Sequence, residues 1–436
     1  MRRRTLLLSS AAALFVTACG SDDAGTDTGA PIEGDENAPA NLTFWAWAEN
    51  IQRAVDLWNE KNPDQQVTLS GQAAGDDLVA KFLTAAKAGN APDLLQAEYQ
   101  ALPTLITNNA LQDLTGVIDS VRDAFPDGTW NLTSFSGATY AIPQDVGPMM
   151  LFYREDIFTE MGLTVPTTWD EFGALAETVR SQNPNRYLTT FSPGDPGWLS
   201  GFAQQAGADW WANEDGAWRV SIDDEATGRV LDFWSGLVNS GTILGDPMYT
   251  PQWNAQMGDG TIIAWPSAVW GAGVLAGVAP ATQGKWRMAP LPQWSAGEQL
   301  TGFWGGSSTA VSAGSTQKPQ AAKFARWLNS DPEALKVLVE IGLYPSATAG
   351  QTSDELGAAP DFMANQPDYY DSAAQIAQTA RGFSSWGPNT NVTYAAFEEL
   401  LPTAVRDGAD FADVAAQVQQ RSVEDLTKQG YQVAGE

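Results

Sequence analysis

The chain has 436 residues, and its 52 aspartates and glutamates outnumber its 23 lysines and arginines to give a formal net charge of −29 at pH 7. So strong a negative field repels phosphate backbones and argues against a nucleic-acid partner. The absence of histidine and the presence of a single cysteine exclude a Ser-His-Asp triad, a Cys-His pair, a histidine-ligated zinc ion and an internal disulfide bond.

The N-terminus has the pattern of a secretory signal. Three arginines at 2–4 precede an apolar run at 6–16 that is too short to cross a bilayer as a helix. Residues 16–19 (VTAC) then resemble the bacterial lipobox, in which the cysteine is acylated and becomes the first mature residue. We therefore predict a signal peptide at 1–18 and lipidation of Cys19.

Two alternatives stay open at this N-terminus. Cys19 could instead lie in the apolar part of an ordinary secretory signal, although the small residues directly before it favour lipidation. Arg3 and Arg4 also fit a loose twin-arginine pattern, so the export route is undecided. After Cys19, residues up to about 40 are mostly Gly, Ser, Asp, Thr, Pro and Ala, which predicts a flexible tether over 19–40.

The first elements after the tether predict a βαβ unit. Residues 42–47 (LTFWAW) have the composition of a strand, Asn50 is placed to cap a helix, and residues 66–69 form a second short strand. A helix beginning at Asp76 or Asp77 and a strand at 92–95 continue the alternation. No later stretch is apolar for long enough to span a membrane, so we expect the remainder to lie outside the cell.

Three later segments carry clear local signals. Residues 168–171 (TWDE) form a capping box, and Asp331 followed by Pro332 is a second helix start. Residues 213–216 (NEDG) predict a hairpin turn between Trp211 and Trp218. The alternation of strands and helices predicts an α/β fold with mainly parallel sheets, in which ligands bind at the carboxyl ends of strands.

Several segments, in order, resemble the extracellular solute-binding proteins of carbohydrate ABC importers, the group that includes maltose- and trehalose-type binding proteins. They are 44–47 (FWAW), 91–95 (APDLL), 140–143 (YAIP), 151–158 (LFYREDIF), 161–163 (MGL), 166–172 (PTTWDEF), 260–270, 289–292 (APLP), 305–307 (GGS), 321–328 and 343–346 (LYPS). Their order and spacing carry the resemblance, which spans nearly the whole mature chain.

The resemblance implies an α/β, two-lobed periplasmic-binding-protein-like fold of type II, with a ligand cleft between lobes joined by three crossings near Asp145, Trp304 and Pro345. Lobe 1 would take 41–145 plus 305–345, and lobe 2 would take 146–304 plus 346–436. It further implies a monomer without catalysis, cofactor or metal ion. Such a protein captures a mono- or oligosaccharide, delivers it to an ABC permease, and touches the membrane only through its lipid.

A sugar ring has apolar C–H faces and a rim of hydroxyl groups, so its sites combine aromatic rings with carboxylates, amides and backbone groups. Residues of these types lie where the resembling family keeps its cleft. The candidates are Trp47, Glu49, Asn50, Glu98, Tyr99, Asp145, Trp198, Trp270, Trp304, Gly306, Arg381 and Trp386.

Each candidate has an alternative structural role. Any one tryptophan can equally belong to the core, and we assign Trp58, Trp169, Trp234 and Trp327 to packing because they lie within helical patterns. Arg381 has many acidic residues available as ion-pair partners. Two rival functions remain: a binding protein for another solute such as a polyol or peptide, and a surface glycoside hydrolase that uses two carboxylates.

Overall fold

The computed structural model describes residues 31–135, 137–214, 216–351 and 356–434. The predicted signal peptide and Cys19 lie outside the described residues. Within these ranges, no helix combines the length and the apolar composition needed to cross a membrane.

The end of the predicted tether is fixed against the fold. Gln65 donates its side-chain amide to the carbonyls of Glu36 and Ala38, and Arg326 forms an ion pair with Glu36. Gln320 donates to the carbonyl of Asp35 at 2.8 Å. The tether predicted over 19–40 therefore ends earlier than residue 40, because these backbone carbonyls accept hydrogen bonds from side chains of the folded domain.

Fifteen helices and twelve strands are labelled here in chain order. The strands are β1 Ala40–Ala46, β2 Gln65–Gly71, β3 Leu94–Glu98, β4 Ser134–Phe135, β5 Ala138–Thr139, β6 Ala141–Arg154, β7 Trp211–Glu214, β8 Ala217–Val220, β9 Ala264–Ala268, β10 Trp286–Pro290, β11 Phe303–Val311 and β12 Gln432–Val433. The helices are α1 Gln52–Lys61, α2 Asp76–Lys87, α3 Leu102–Thr107, α4 Asp127–Asn131, α5 Glu155–Met161, α6 Trp169–Gln182, α7 Pro196–Ala206, α8 Glu225–Asn239, α9 Pro251–Asp259, α10 Gly271–Val278, α11 Lys318–Ser330, α12 Pro332–Glu340, α13 Tyr369–Ala377, α14 Thr390–Asp407 and α15 Ala412–Gln429.

The main sheet is mixed and runs in the order β10-β6-β11-β3-β1-β2, with β9 also paired to β6. Strand β1 is parallel to β2 and β3, as the βαβ prediction requires. Strand β11 is antiparallel to β3 and β6, and β6 is antiparallel to β9 and β10. The expectation of mainly parallel sheets is therefore wrong, because β6 and β11 run in opposite directions through the middle of the sheet.

Strand β6 connects the two ends of this sheet. Its first part pairs with β11, from Ala141 opposite Ala310 to Pro148 opposite Phe303. Its second part, from Met149 onward, lies between β9 and β10. All but one of its residues are buried, which explains why its sequence is nearly continuous in apolar residues rather than alternating.

The local signals are mostly confirmed. Thr168 and Glu171 form the predicted capping box, and the side chain of Asp331 accepts from the backbone N–H of Glu333. Strands β7 and β8 form the predicted hairpin. The cap at Asn50 is wrong: α1 begins two residues later without a side-chain cap, and Asn50 has a left-handed φ of 61° that suits a turn.

The tryptophans assigned to packing lie in two hydrophobic cores. Trp58 is buried beside Phe324 beneath the β1 end of the sheet, and Trp327 is half-buried against both. Trp169 and Trp234 are buried in the larger core on the other side, with ring centroids 5.7 Å apart. Burial accounts for Trp58, Trp169 and Trp234, and Trp327 packs on the edge of the first core.

Two glycines set the distance between α7 and the start of β11. A Cβ added to Gly302 would lie 1.9 Å from the carbonyl oxygen of Gly201, and one added to Gly201 would lie 2.2 Å from the sulfur of Met149. Because the first contact is with backbone, no side-chain rotation relieves it. This approach brings the first turn of α7 beside Phe303 and Trp304.

We predict that Gly302→Ala lowers the free energy of unfolding by about 3 kcal/mol or more, since overpacking against fixed backbone forces α7 away from the sheet. The matched control is Gly273→Ala, inside α10, where an added Cβ meets open space. That change should raise the free energy of unfolding by about 0.5–1 kcal/mol. Urea denaturation measures both, and equal effects of the two variants would contradict the assigned role of Gly302.

Candidate ligand-binding cleft

A cavity of about 330 Å³ lies where six separate segments of the chain meet. They are the N-terminus of α2, the end of β3 with the start of α3, Leu132 after α4, the first turns of α7, the start of β11, and the segment 382–398. Its aromatic and polar lining residues are Glu98, Tyr99, Gln100, Thr104, Asp195, Ser200, Gln204, Phe303, Trp304, Trp386, Thr390, Asn391, Tyr394 and Glu398. Four of the sequence candidates therefore come together: Glu98, Tyr99, Trp304 and Trp386.

Trp304 anchors an aromatic wall. Its ring centroid lies 4.5 Å from Trp270 and 6.5 Å from Tyr249, both in inclined arrangements. Tyr249 is 48% exposed, and its φ of 62° is a left-handed conformation that is costly for an aromatic residue. A strained backbone that holds a large ring at the surface is typical of functional sites. Tyr249 does not line the cavity itself, but its contact with Trp304 makes it a candidate that sequence reasoning missed, and no local motif indicates it.

Asp195 is a second candidate that sequence reasoning missed. Its carboxylate caps α7 by accepting from the backbone N–H of Trp198 at 2.8 Å, and it also makes a side-chain hydrogen bond with Trp304. The pKa of Asp195 is raised to about 6, chiefly by burial and to a smaller extent by the nearby Glu398, although these hydrogen bonds oppose the rise. The Asp-Pro start of a helix could have revealed the cap, but not its place in a cleft.

Tyr99 and Glu98 form a second wall of the cavity at the end of β3. The Tyr99 hydroxyl donates to the carbonyl of Asp145 at 3.0 Å and lies 3.1 Å from the hydroxyl of Ser346. Burial raises the pKa of Tyr99, so the phenol keeps its proton at neutral pH. Glu98 accepts from the side-chain amide of Gln100 at 2.8 Å.

Asp145 lies behind this wall rather than in the cavity lining. It is buried, its carboxylate accepts from the Ser307 hydroxyl, and its backbone bridges to Pro345. Burial raises the pKa of Asp145 to about 6, and hydrogen bonds from the Ser307 hydroxyl and backbone hold it from rising further. The residue therefore joins the three chain segments at which the lobe crossings were predicted.

Three more candidates lie close to the cavity. Trp47 lines a small adjoining cavity of about 10 Å³ that shares Glu98 with the first. Gly306 lies behind the wall, where an added Cβ would be 2.9 Å from the Tyr99 ring. Trp270 is half-buried, and its indole N–H donates to the Trp304 carbonyl at 3.3 Å, so it supports Trp304 from outside the lining.

The other four candidates are not brought to the cavity. Trp198 is fully buried, and its indole N–H donates to the carbonyl of Pro266 at 2.8 Å, so it is a core residue on the inner face of α7. Glu49 and Asn50 are exposed beyond the end of β1. Arg381 is exposed outside the lining, although its neighbour Gly382 takes part in it.

The lining has an uneven charge distribution. Among the described residues that form it, Glu98, Asp195 and Glu398 are acidic and none is basic. Gln204 is buried there; its carbonyl oxygen accepts from the backbone N–H of Phe303, while its amide nitrogen has no partner within the described structure. Carboxylates and amides beside aromatic rings can form hydrogen bonds with the hydroxyl groups of a ligand. An anionic ligand is disfavoured, because no basic side chain in the described lining would pair with its charge.

Nothing in the described part of the chain suggests a metal site, since it holds no cluster of three or more Asp, Glu or Cys side chains placed to bind a metal ion.

Comparison with known proteins gives a consistent result. Residues 53–364 match the family model described as bacterial extracellular solute-binding protein. The chain is 25% identical over 316 residues to the arabinooligosaccharide-binding protein of Halalkalibacterium halodurans, with 70% of each chain covered. It is 24% identical over 390 residues to the lactose-binding protein of Rhizobium radiobacter, with 84% of this chain and 86% of the relative covered.

A solved structure is similar over most of the fold. It is the galacto-N-biose/lacto-N-biose I-binding protein of an ABC transporter from Bifidobacterium longum, in complex with lacto-N-biose. The TM-score is 0.83 at 28% identity, and the match covers 92% of this chain and all of the other. The two-lobed α/β fold is thereby confirmed.

We predict a pH dependence that comes from Asp145. A carboxyl whose pKa is raised by folding stabilises the protein below its ordinary pKa near 4 and loses that contribution as the pH rises to about 6. Relative to Asp145→Asn, the wild type should therefore lose about 3 kcal/mol of unfolding free energy between pH 4 and pH 7. Denaturation at both pH values measures this. Asp64→Asn, at an exposed position, is the control, and equal pH slopes for wild type and Asp145→Asn would contradict the prediction.

Proposed function

The chain belongs to the bacterial extracellular solute-binding protein family, and we propose that it is the substrate-binding component of an ABC sugar importer. In this role it captures a neutral mono- or oligosaccharide outside the cell and delivers it to the transmembrane subunits of a permease. The observation that carries the proposal is the cavity that Trp304, Trp386 and Tyr394 line together with carboxylates and amides, with no basic residue among its described lining residues.

The chemistry of this lining selects between classes of solute. Aromatic rings gain most from the C–H faces of a sugar ring, and carboxylate and amide oxygens accept hydrogen bonds from its hydroxyls. A phosphate or carboxylate on the ligand would meet Glu98, Asp195 and Glu398 with no opposing charge, at a cost that a half-buried site increases. An uncharged carbohydrate therefore fits better than a sugar phosphate or an acidic peptide.

We propose that ligand binding is accompanied by closure of two lobes, 41–145 plus 305–345 and 146–304 plus 346–436. The paired strands β6 and β11 cross between them, and the lining residues come from both. A ligand that touches both lobes favours the closed form through its higher affinity for that form. We further propose that the protein acts as a monomer and leaves its ligand chemically unchanged.

The test is a thermal-shift screen of neutral sugars, polyols and sugar phosphates against wild type and Trp304→Ala. A neutral sugar at 100 times its Kd should stabilise the wild type by about 2.7 kcal/mol, and sugar phosphates should not. Trp304→Ala should weaken binding at least tenfold, about 1.4 kcal/mol, since a stacking ring in a desolvated pocket is lost.

Trp45→Ala is the control, because Trp45 is a half-buried tryptophan that packs on Phe82 away from the cleft. Solution scattering with the bound sugar should show a smaller radius of gyration, and chromatography should recover the sugar intact. Stabilisation by sugar phosphates alone would overturn the proposal, and cleavage of the sugar would favour the hydrolase. Unchanged affinity with a lower melting temperature would make Trp304 a core residue.

We propose that lipid on Cys19 holds the protein at the outer face of the cell membrane. A diacylglyceryl group supplies two acyl chains, and each buried CH₂ contributes about 0.8 kcal/mol to membrane binding. Two chains therefore anchor a protein stably, whereas a single chain binds the membrane only reversibly. Cys19→Ala should therefore abolish labelling by a fatty-acid analogue and move the protein to the medium, or leave it attached only by an uncleaved signal. Ser21→Ala should be labelled normally, and labelling of Cys19→Ala at the wild-type level would contradict the anchor.

A further inference from the structure

Two more cavities adjoin the first one beyond Trp386. A middle cavity of about 140 Å³ shares Leu132, Gly382 and Trp386 with the first cavity. A distal cavity of about 430 Å³ shares Phe135, the serines at 384 and 385, and Trp386 with the middle one. Trp386 therefore borders all three cavities, and the middle one connects the first with the distal one.

The distal cavity has its own aromatic and polar lining. Phe135 and Trp218 are half-buried in its walls, and hydroxyl and amide groups come from Thr107, Ser385 and Asn213. None of the described residues that line it is charged. Aromatic rings beside neutral hydrogen-bonding groups suit a sugar ring, whereas a peptide or an ion would find no charged partner there.

The walls of the distal cavity are held in place by contacts with the β7–β8 hairpin. The ring centroids of Trp211 and Trp386 lie 6.0 Å apart, and a Cβ added to Gly387 would lie 2.4 Å from the indole nitrogen of Trp211. The Ser384 hydroxyl donates to the Asp209 carboxylate at 2.7 Å, and Arg219 pairs with the same carboxylate at 3.3 Å. The loop that carries Trp386 is thus fixed to the hairpin that carries Trp218.

We propose that the three cavities form one groove and that the ligand is a neutral oligosaccharide longer than a disaccharide. One end lies against Trp304, the chain passes Trp386, and further rings stack on Trp218 and Phe135. Volumes of about 330 and 430 Å³ each fall in the range of about 300–1,000 Å³ for a complete small-molecule pocket, so a single ring leaves the distal cavity empty. This inference rests on the proposed function and specifies the length of the sugar that the protein binds.

The experiment is calorimetric titration with arabino-oligosaccharides and galacto-oligosaccharides of one to five units. Affinity should rise with length beyond two units. Trp218→Ala removes a ring from the distal wall, and Thr107→Trp fills the cavity from an exposed position on α3. Each variant should lower the affinity for the longest binding sugar at least tenfold and leave the shortest one within about twofold. Trp45→Ala and Thr84→Trp, at positions outside the cleft, should change neither affinity.

The outcomes separate this inference from the function on which it rests. Affinity that is independent of length, or that both distal variants leave unchanged, overturns the groove while sugar binding in the first cavity stands. Should Trp218→Ala fail to fold, Thr107→Trp decides the question alone, because it adds a side chain at the surface. If no sugar of any length binds the wild type, the proposed function fails and the groove fails with it.

Discussion

The antiparallel pairing of β6 with β11 is the constraint on which the rest of the structure depends. These strands lie side by side from Ala141 opposite Ala310 to Pro148 opposite Phe303, at the centre of the sheet. On one side β11 pairs with β3, which ends at Glu98, and on the other β6 continues between β9 and β10. A cleft between distant parts of the chain exists because this pair joins them, with two register shifts along its length.

Close backbone contacts at the cleft further restrict the positions of β6, β11 and α7. An added Cβ on Gly147 would lie 2.1 Å from the Trp304 carbonyl oxygen, and one on Gly302 would lie 1.9 Å from that of Gly201. Glycine at these positions lets β6, β11 and α7 approach until Trp304 and Asp195 meet. Behind the cavity lining, the Tyr99 hydroxyl donates to the Asp145 carbonyl and the Ser307 hydroxyl donates to the Asp145 carboxylate. This wall is therefore polar on the side away from the cavity and aromatic on the side that lines it.

The proposed preference for an uncharged ligand rests on electrostatics. The chain carries a net charge of −29, and the lining follows the same sign with three carboxylates. Burial raises the pKa of Asp195 to about 6, so its own negative charge is already disfavoured at this position. Neutral hydroxyl groups can donate to these carboxylates while the C–H faces of a sugar lie on the aromatic rings. The proposed ligand class thus rests on burial and charge together.

The sequence by itself determined the local elements and the family. The capping box at Thr168, the helix start at Asp331, the β7–β8 hairpin and the opening βαβ unit depend on residues near one another in the chain, so their patterns predicted them. Glu98 and Tyr99 were predicted into the cleft because they lie where the resembling family keeps it, and both line the cavity. Only the tertiary structure decided that Trp198 is core, that β6 and β11 make the sheet mixed, and that Asp195 and Tyr249 meet Trp304. The physical reason is that burial and pairing between residues far apart in the chain leave no local pattern: an indole that packs inside a core and one that faces a cleft have the same neighbours in sequence.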